Sequence, residues 1–592
     1  MIFGRTINRY YLKYALYFII GIIALITVDL FQLEVPRIFR DLVNTLEDYV
    51  EVGNTDSSFL MDVVWRIAYI TVFIVLGRFF WRFGIIGASR RIDYDLRNAL
   101  FAHSTNLSNR FYSEKKVGGL MAHFTNDLEA VRRAIGPGLI MFVDAVFLGA
   151  LTFYRMFELN VQMTLILVLP MIIITTIGLV LGTRMRKRFK ASQKAFEDLS
   201  DFTQESFSGI SVIKAFVKEQ TEIKAFLKAN QNAKDKNIAF VRMATILQVM
   251  IQTIVSLVFV LILAYGAYLI ESTRHLGDDR FRLGDLVAFI SYFGMLIWPM
   301  MAFAMIINVR SQGKASLERI DAILNEPIDI VDQDVIDVDE IKGSIEFKNL
   351  NFRYPDGETN VLKNVSFKIN VGETVGILGR TGSGKTSVVD LLLRIYNIEE
   401  NKLFIDGHDI MHLPYKQVRE AIGYVPQDGF LFSDTIRNNI TLGLHSDSIH
   451  MDKIEAVAKL SDVHDNIIQF QKGYDTIIGE RGVTLSGGQK QRVSIARALA
   501  KEPPILIMDD SVSAVDTSTE EKILGNLKRI RKGKTTIMIA HRISTVKNAD
   551  KIVLIDDGEV IDIGTHDELF ERCELYKDMV ERQKLADEVG AI

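Results

Sequence analysis

Gly379-Arg380-Thr381-Gly382-Ser383-Gly384-Lys385-Thr386 is the stretch on which the reading of this chain turns, and about a hundred residues later Leu485-Ser486-Gly487-Gly488-Gln489 forms a second glycine-rich block. The first block has the spacing G-x-x-x-x-G-K-[ST]. Its glycines let backbone N–H groups close around phosphate oxygens, while Lys385 reaches the outer phosphates and Thr386 holds Mg²⁺. The flanks agree: Glu373 to Leu378 reads as a buried strand, and Ser387 to Ile395 as an apolar helix whose N-terminal dipole faces the anion. Strand, loop and helix in that order predict an ATP-phosphate site.

At 592 residues the chain exceeds what one core organises, so at least two domains are expected. Up to about residue 310, long apolar stretches alternate with charged helical segments; the remainder has the mixed composition of an α/β domain. The division expected is 1–13 as a cytoplasmic segment, 14–325 as an all-α transmembrane domain of six helices, 326–343 as an exposed acidic linker, and 344–592 as a nucleotide-binding domain. A net charge of −4 without a basic stripe gives no case for nucleic acid as a partner. The lone Cys573 excludes an internal disulfide and any cysteine-based metal cluster, and reads as a surface or packing thiol. The basic N-terminus lacks a short apolar core followed by a cleavage site, so the first helix is expected to be retained.

Six segments are long and apolar enough for ~30 Å of hydrocarbon: Tyr14 to Leu33, Val63 to Ile86, Leu139 to Phe157, Val161 to Gly182, Ala244 to Ile270 and Leu286 to Val309. Lys and Arg gather between segments two and three (Arg90 to Arg133) and after segment four (Arg184 to Lys190). These long connections, and therefore both termini, are expected inside, with acidic Asp41 to Asp56 outside. Their 3.6-like patterning suggests helices projecting below the membrane. Asp29, Arg78, Arg82, Asp144, Gln248, Gln252 and Asn308 lie within the apolar segments, where a polar group is either functional or turned toward another helix. Segment six carries Phe289, Tyr292, Phe293, Met295, Trp298, Met300, Met301, Phe303 and Met305, a run suited to an adaptable apolar cavity and explained at least as well by helix-to-helix packing.

In the second half, Ile505 to Asp510 reads as a buried strand ending in two carboxylates. Asp509 is the candidate for Mg²⁺ and Asp510 for orienting or deprotonating the attacking water. His541, after the strand Thr536 to Ala540, sits where doubly wound sheets place their ligands and is assigned to the γ-phosphate. Tyr354 precedes the strand system and offers an aromatic face to adenine, although Tyr before Pro is otherwise a turn residue.

The phosphate loop, Gln427 in Tyr424-Val425-Pro426-Gln427-Asp428, the signature Leu485 to Gln489, Asp509, Ser513-Ala514-Val515-Asp516 and His541 occur in the order seen in ATP-binding-cassette (ABC) transporters. With six membrane segments ahead of one cassette, nearly the whole chain resembles an ABC exporter half-transporter. The resemblance makes Tyr354 the adenine-stacking residue, brings Gln427 to Mg²⁺, and makes the stretches around Phe111 and Gly209 coupling helices. Thr476 to Gly482 resembles the loop through which exporters contact the membrane domain. It also implies a second subunit: two cassettes sandwich two ATP molecules, each held by one phosphate loop and the signature Ser486, Gly487, Gly488 and Gln489 of the other. Alternating access then moves a small hydrophobic substrate outward across a lipid bilayer, the cell's inner membrane.

One position departs from the family. Most cassettes carry Glu directly after the magnesium Asp, and this chain has Asp510. It thus resembles the degenerate-site subunit of bacterial heterodimeric multidrug exporters, paired with a chain bearing the catalytic Glu. A homodimeric lipid or peptide exporter, and an ATP-gated membrane regulator without net pumping, are the competing readings.

Overall fold

The computed structural model describes residues 4–52, 58–115, 117–275, 280–444, 450–479, 485–513 and 515–590. The chain divides into two units: Met1–Ala102 with Met121–Leu324, and His103–Leu120 with Asn325–Ile592.

The first unit is helical. Ala15–Tyr49, Phe59–Ser104, Gly119–Leu159, Glu219–Ser272 and Leu283–Leu324 are each long and apolar enough to cross a membrane. The fourth expected segment lies in the helix Val161–Ser208, whose apolar described run is the shorter Val161–Ile174. Asn160 separates segments three and four, its side chain accepting a bond from Met163 N at 2.8 Å as an N-cap. The helical stretch Gly119–Leu159, which contains segment three, is interrupted by π turns at His123–Asp127 and Asp144–Leu148.

Helices Val161–Ser208 and Glu219–Ser272 have 48 and 54 residues, or about 70 and 80 Å at 1.5 Å per residue, well beyond the ~30 Å apolar slab. They run antiparallel: Tyr265 Oη donates to Gln162 at 3.0 Å near one end, and the rings of Phe202 and Phe226 lie 6.5 Å apart near the other. The helix Ile210–Ala215 joins them. Segments one and two cross backbone to backbone, because a Cβ on Gly84 would lie 2.7 Å from Gly21 Cα. A core containing Leu33, Leu148, Leu167, Val258 and Phe289 draws in segments one, three, four, five and six. Of the seven intramembrane polar residues singled out, Asp29 is buried and Asp144 half-buried, and the other five are exposed.

The second unit is built on two sheets. β1 (Ile345–Phe352), β2 (Leu362–Ile369), β4 (Leu403–Ile405) and β5 (His408–Asp409) form an antiparallel sheet in the order β2-β1-β4-β5. β3 (Thr374–Leu378), β6 (Ile422–Val425), β7 (Ile505–Asp509), β8 (Thr535–Ala540), β9 (Lys551–Asp556) and β10 (Glu559–Gly564) form the other, in the order β10-β9-β3-β8-β7-β6. All its pairings are parallel except that of β10 with β9. β7 and β8 are buried along their whole length, as expected of strands covered on both faces. Cys573 takes the packing alternative, buried in a cluster with Leu569 and Tyr576.

The acidic stretch Ile328 to Asp339 is largely exposed yet fastened down. Buried Arg394 donates to Asp332 at 3.3 Å, Asn397 to Asp329 O at 2.8 Å, and Ile336 N to His412 O at 2.7 Å. The same acidic stretch, with Glu326 just ahead of it, holds the inserted segment His103–Leu120: Ser108 Oγ donates to Asp329 at 2.8 Å, Arg110 pairs with Asp329 at 3.5 Å and Glu326 at 3.8 Å, and a ring nitrogen of His103 lies 3.0 Å from Glu326 O.

Candidate nucleotide site

Sheet order brings the predicted residues together. In the parallel sheet Leu378 pairs with Ala540, Asp509 with Ile539 and Val425 with Met508. The loops leaving β3, β8, β7 and β6 therefore emerge side by side at the C-terminal edge, carrying Gly379 to Thr386, His541, Asp510 and Gln427 in turn. Ligands of open α/β sheets bind at this edge.

The loop's glycines have distinct reasons. A Cβ on Gly379 would lie 2.0 Å from Ile555 O, and on Gly384 2.7 Å from Leu362 Cδ2. Gly382 and Gly384 also take φ of +83° and +95°, a region costly for other residues. Gly384 is the N-cap of the helix Lys385–Leu392, so the first amides of that helix point at the loop's hollow. Lys385 is 4% exposed and folds over its own loop, Nζ donating to Gly379 O at 3.0 Å and Arg380 O at 2.8 Å. Burial pushes its pKa down, while Asp509, Asp510 and Asp556 pull it up. Arg380 lies on the rim, 3.7 Å from Asp556 and well exposed, as is Thr381.

Asp509 is buried, with Oδ2 lacking any hydrogen-bond partner, and Ser383 Oγ is likewise buried and unbonded. Burial raises the Asp509 pKa, the Thr386 hydroxyl bonds to the carboxylate and lowers it, Asp510 raises it and Lys385 lowers it. A desolvated carboxylate oxygen beside a threonine hydroxyl is a donor set that fits a hard divalent cation such as Mg²⁺. Asp510 leaves the strand with φ +44°, a left-handed conformation tolerated by Asp better than by most residues. Its amide donates to Ile539 O at 2.9 Å, and its carbonyl accepts from Ser513 Oγ at 2.8 Å, so the backbone aiming this carboxylate is fixed on both sides. His541 is exposed. Desolvation and the Lys385 charge lower its pKa against the opposing pull of Asp510, which keeps the imidazole neutral near pH 7. Gln427 is exposed, its carbonyl 3.4 Å from Gln491 Nε2.

Tyr354 is more committed than a free stacking face. Its hydroxyl lies 2.7 Å from Ser387 Oγ and donates to Asp390 at 3.3 Å, and burial pushes its pKa up to about 12. Its ring meets Phe352 and Tyr396 edge-on at 5.0 and 5.2 Å. Asn109 Nδ2, in the inserted segment, lies 3.5 Å from Tyr396 Oη. Ser387, Asp390, Tyr396 and Asp556 were not singled out from sequence. Asp390 had a legible signal, standing four residues after Thr386 on the same helical face; the others required the fold.

The signature opens the helix Gly487–Ala500. Ser486 is its N-cap in a capping box, with Gln489 N donating to Ser486 Oγ at 3.3 Å and Ser486 N to Gln489 Oε1 at 3.0 Å. Gly487 and Gly488 bring the first helical amides to an exposed or half-buried surface. Asp516 caps the next helix, Thr517–Ile530, and bonds from Ser518 and Thr519 hold it below the usual carboxylate range. Ala514 and Glu480 to Gly482 of the expected exporter loop lie outside the described residues. In the first coupling stretch, Asn109–Glu114 and Val117–Ala122 are short helices; in the second, Ile210–Ala215 is one with no buried residue.

A phosphate loop and an acidic strand end on one sheet edge, together with a capped signature helix, in a chain that also carries a many-helix membrane unit, define the class of ATP-driven membrane transporters. The profile of the ABC transporter transmembrane region matches residues 18–300, and that of the ABC transporter ATPase matches residues 362–513. The probable multidrug resistance ABC transporter ATP-binding/permease protein YheI of Bacillus subtilis is 35% identical over 99% of this chain and 98% of its own length. The multidrug resistance-like ATP-binding protein MdlA of Escherichia coli is 34% identical over 96% and 94%. A solved bacterial Atm1-family ABC exporter with ATP bound superposes with TM-score 0.73 at 26% identity, covering 98% of this chain and 99% of that one. The chain belongs to the ABC transporters, as a multi-pass membrane exporter whose ATP-binding cassette hydrolyses ATP to drive transport.

Proposed function

We propose that this chain is the slow-site half of a two-subunit exporter that moves hydrophobic or amphipathic compounds, multiple drugs among them, out of the cell. The observation that carries the proposal is Asp510. A Glu there would extend the carboxylate by about 1.5 Å, and misplacement on the order of an ångström costs ~10²-fold in rate. Hydrolysis at this chain's own phosphate loop is therefore slow. Its signature, an intact capped helix N-terminus, completes the faster site on a partner whose magnesium Asp is followed by Glu.

Within the site, the amides of Gly379 to Gly384 and Lys385 bind the phosphates, and Lys385 exchanges two loop carbonyls for phosphate oxygens. Thr386, Asp509 and Gln427 would hold Mg²⁺, which when bound would neutralise phosphate charge. Asp510 orients the attacking water or takes its proton, neutral His541 contacts the γ-phosphate, and Tyr354 stacks on adenine. Support for Mg²⁺ comes from the unbonded, buried oxygen of Asp509.

Support for a second subunit comes from two uncovered apolar surfaces. Phe216 and Val217, at the tip joining the two longest helices, are 70% and 80% exposed, and on the cassette Phe430, Phe432 and Leu442 are exposed around one groove. Apolar area of this kind is normally covered by a partner. The cation-rich inner connections support an orientation with both termini and the cassette in the cytoplasm, and the reading puts the membrane unit in the cell's inner membrane. The multidrug designation of the relatives supports the substrate class.

The deciding measurement is the ATPase rate of the purified chain alone and with a Glu-bearing half-transporter. Low hydrolysis alone and high hydrolysis in the pair are expected; robust turnover by a homodimer would sink the proposal.

A further inference from the structure

Two carboxylates of the membrane unit take no part in nucleotide chemistry. Asp29, in segment one, is 3% exposed, and its Oδ2 is buried with no hydrogen-bond partner. Asp144, in segment three, begins the π turn Asp144–Leu148. The indole N–H of Trp298, in segment six, donates to Asp144 Oδ2 at 3.1 Å, while Oδ1 is buried and unbonded. The π turn that carries Asp144 packs against the helix that carries Asp29. Arg155 and Arg40 of the same unit are committed elsewhere, Arg155 to Glu34 and Glu158, Arg40 to Asp41 and Asp285.

A carboxylate oxygen buried without a donor or a counter-charge is expensive, and inside a membrane protein such a group marks a place where something positive is taken in. We propose that Asp29 and Asp144 are the charge-recognising element of a binding site for organic cations, taking the ammonium-type group of an amphipathic substrate. The proposal rests on the reading of the chain as an exporter of amphipaths and adds the charge of its cargo.

A metal ion fits these groups poorly. Ca²⁺ asks for six to eight oxygens and Mg²⁺ for an octahedron, whereas only two buried, unbonded carboxylate oxygens stand here, and the described residues contain no cluster of three or more His, Cys, Asp or Glu able to hold a metal. An organic cation needs one or two acceptors and gains from an aromatic face. Trp298 supplies that face. Met301 and Met305, three and seven residues on, share its side of the helix, and all three are about half exposed, offering deformable apolar surface to the body of the ligand. The π turn starting at Asp144 is a type of helical defect found frequently at functional sites.

The test is a fluorescence titration of the purified full-length complex with ethidium, a permanent cation, and Nile red, a neutral amphipath, in the parent, Asp29→Asn and Asp144→Asn. Ethidium affinity is expected to fall about tenfold or more in each variant, with Nile red affinity kept within about twofold. Asn at 144 still accepts from Trp298, so the loss reports charge and not that bond. The variants are read independently, so one failing to fold leaves the other decisive. Unchanged ethidium binding, or equal losses for both dyes, would overturn the site. ATP-driven ethidium uptake into inside-out vesicles reports separately on the exporter reading: charge-dependent binding without uptake removes that reading and keeps the site, and uptake with charge-independent binding does the reverse.

Discussion

One methylene separates Asp510 from the residue most cassettes carry, and its effect is open to direct measurement. Asp510→Glu is expected to raise ATP hydrolysis by the assembled complex severalfold or more, and Asp510→Asn, which the left-handed backbone also tolerates, to change it little. A large loss with Asn would make Asp510 the working base. Asp390 gives a pH prediction. Burial raises its pKa to about 6, with the Tyr354 bond lowering it and Asp509 adding to the rise. Below about pH 4 the folded and unfolded chains both hold this proton. Between about 4 and 6 the unfolded chain loses it while the folded one keeps it, so stability falls as pH rises through that window and stays lower above it. Thermal melts should therefore show Asp390→Asn gaining Tm over the parent at pH 7.5 but not at pH 4.

Among elements, the inserted segment His103–Leu120 is the one whose position carries most consequence. Asp329 receives both Ser108 and Arg110 from it, and Tyr396 links it through Tyr354 to the helix that follows the phosphate loop. A nucleotide-dependent shift of Tyr354 thus has a short, packed route to this segment. Asp329→Ala removes both contacts. We expect substrate transported per ATP hydrolysed to fall at least several-fold in reconstituted vesicles, with nucleotide affinity retained; an unchanged ratio would show that the fastening is structural only.

For the whole molecule, the proposal is one of asymmetry. In a pair whose partner carries the catalytic Glu, Lys385→Ala in this chain should lower steady-state hydrolysis by only a few-fold. The corresponding change in the partner's phosphate loop should abolish it, because that loop works against this chain's Ser486 to Gln489. Equal losses from the two changes would point to two equivalent sites.

The sequence alone determined the class of the molecule. Gly379 to Thr386 and Ser486 to Gln489 are contiguous motifs in which each residue type answers a local demand, such as φ > 0 at Gly382 and Gly384 or a capping hydroxyl at Ser486. The long apolar runs likewise announce membrane helices, because in lipid a single continuous apolar segment satisfies its own backbone only as a helix. Tertiary structure decided what depends on distant neighbours. Asp29 and Asp144 looked alike in sequence with Arg78 and Gln248, yet burial and the Trp298 bond set them apart. The acidic run after Pro327 reads in sequence as an exposed linker and is largely exposed, but its fastening is not legible there, because Arg394 and Asn397 lie some sixty residues away in sequence. The partners of Ser108 and Asn109 lie more than two hundred residues along the chain. Local chemistry is written residue by residue, whereas burial and long-range pairing exist only once the chain has folded.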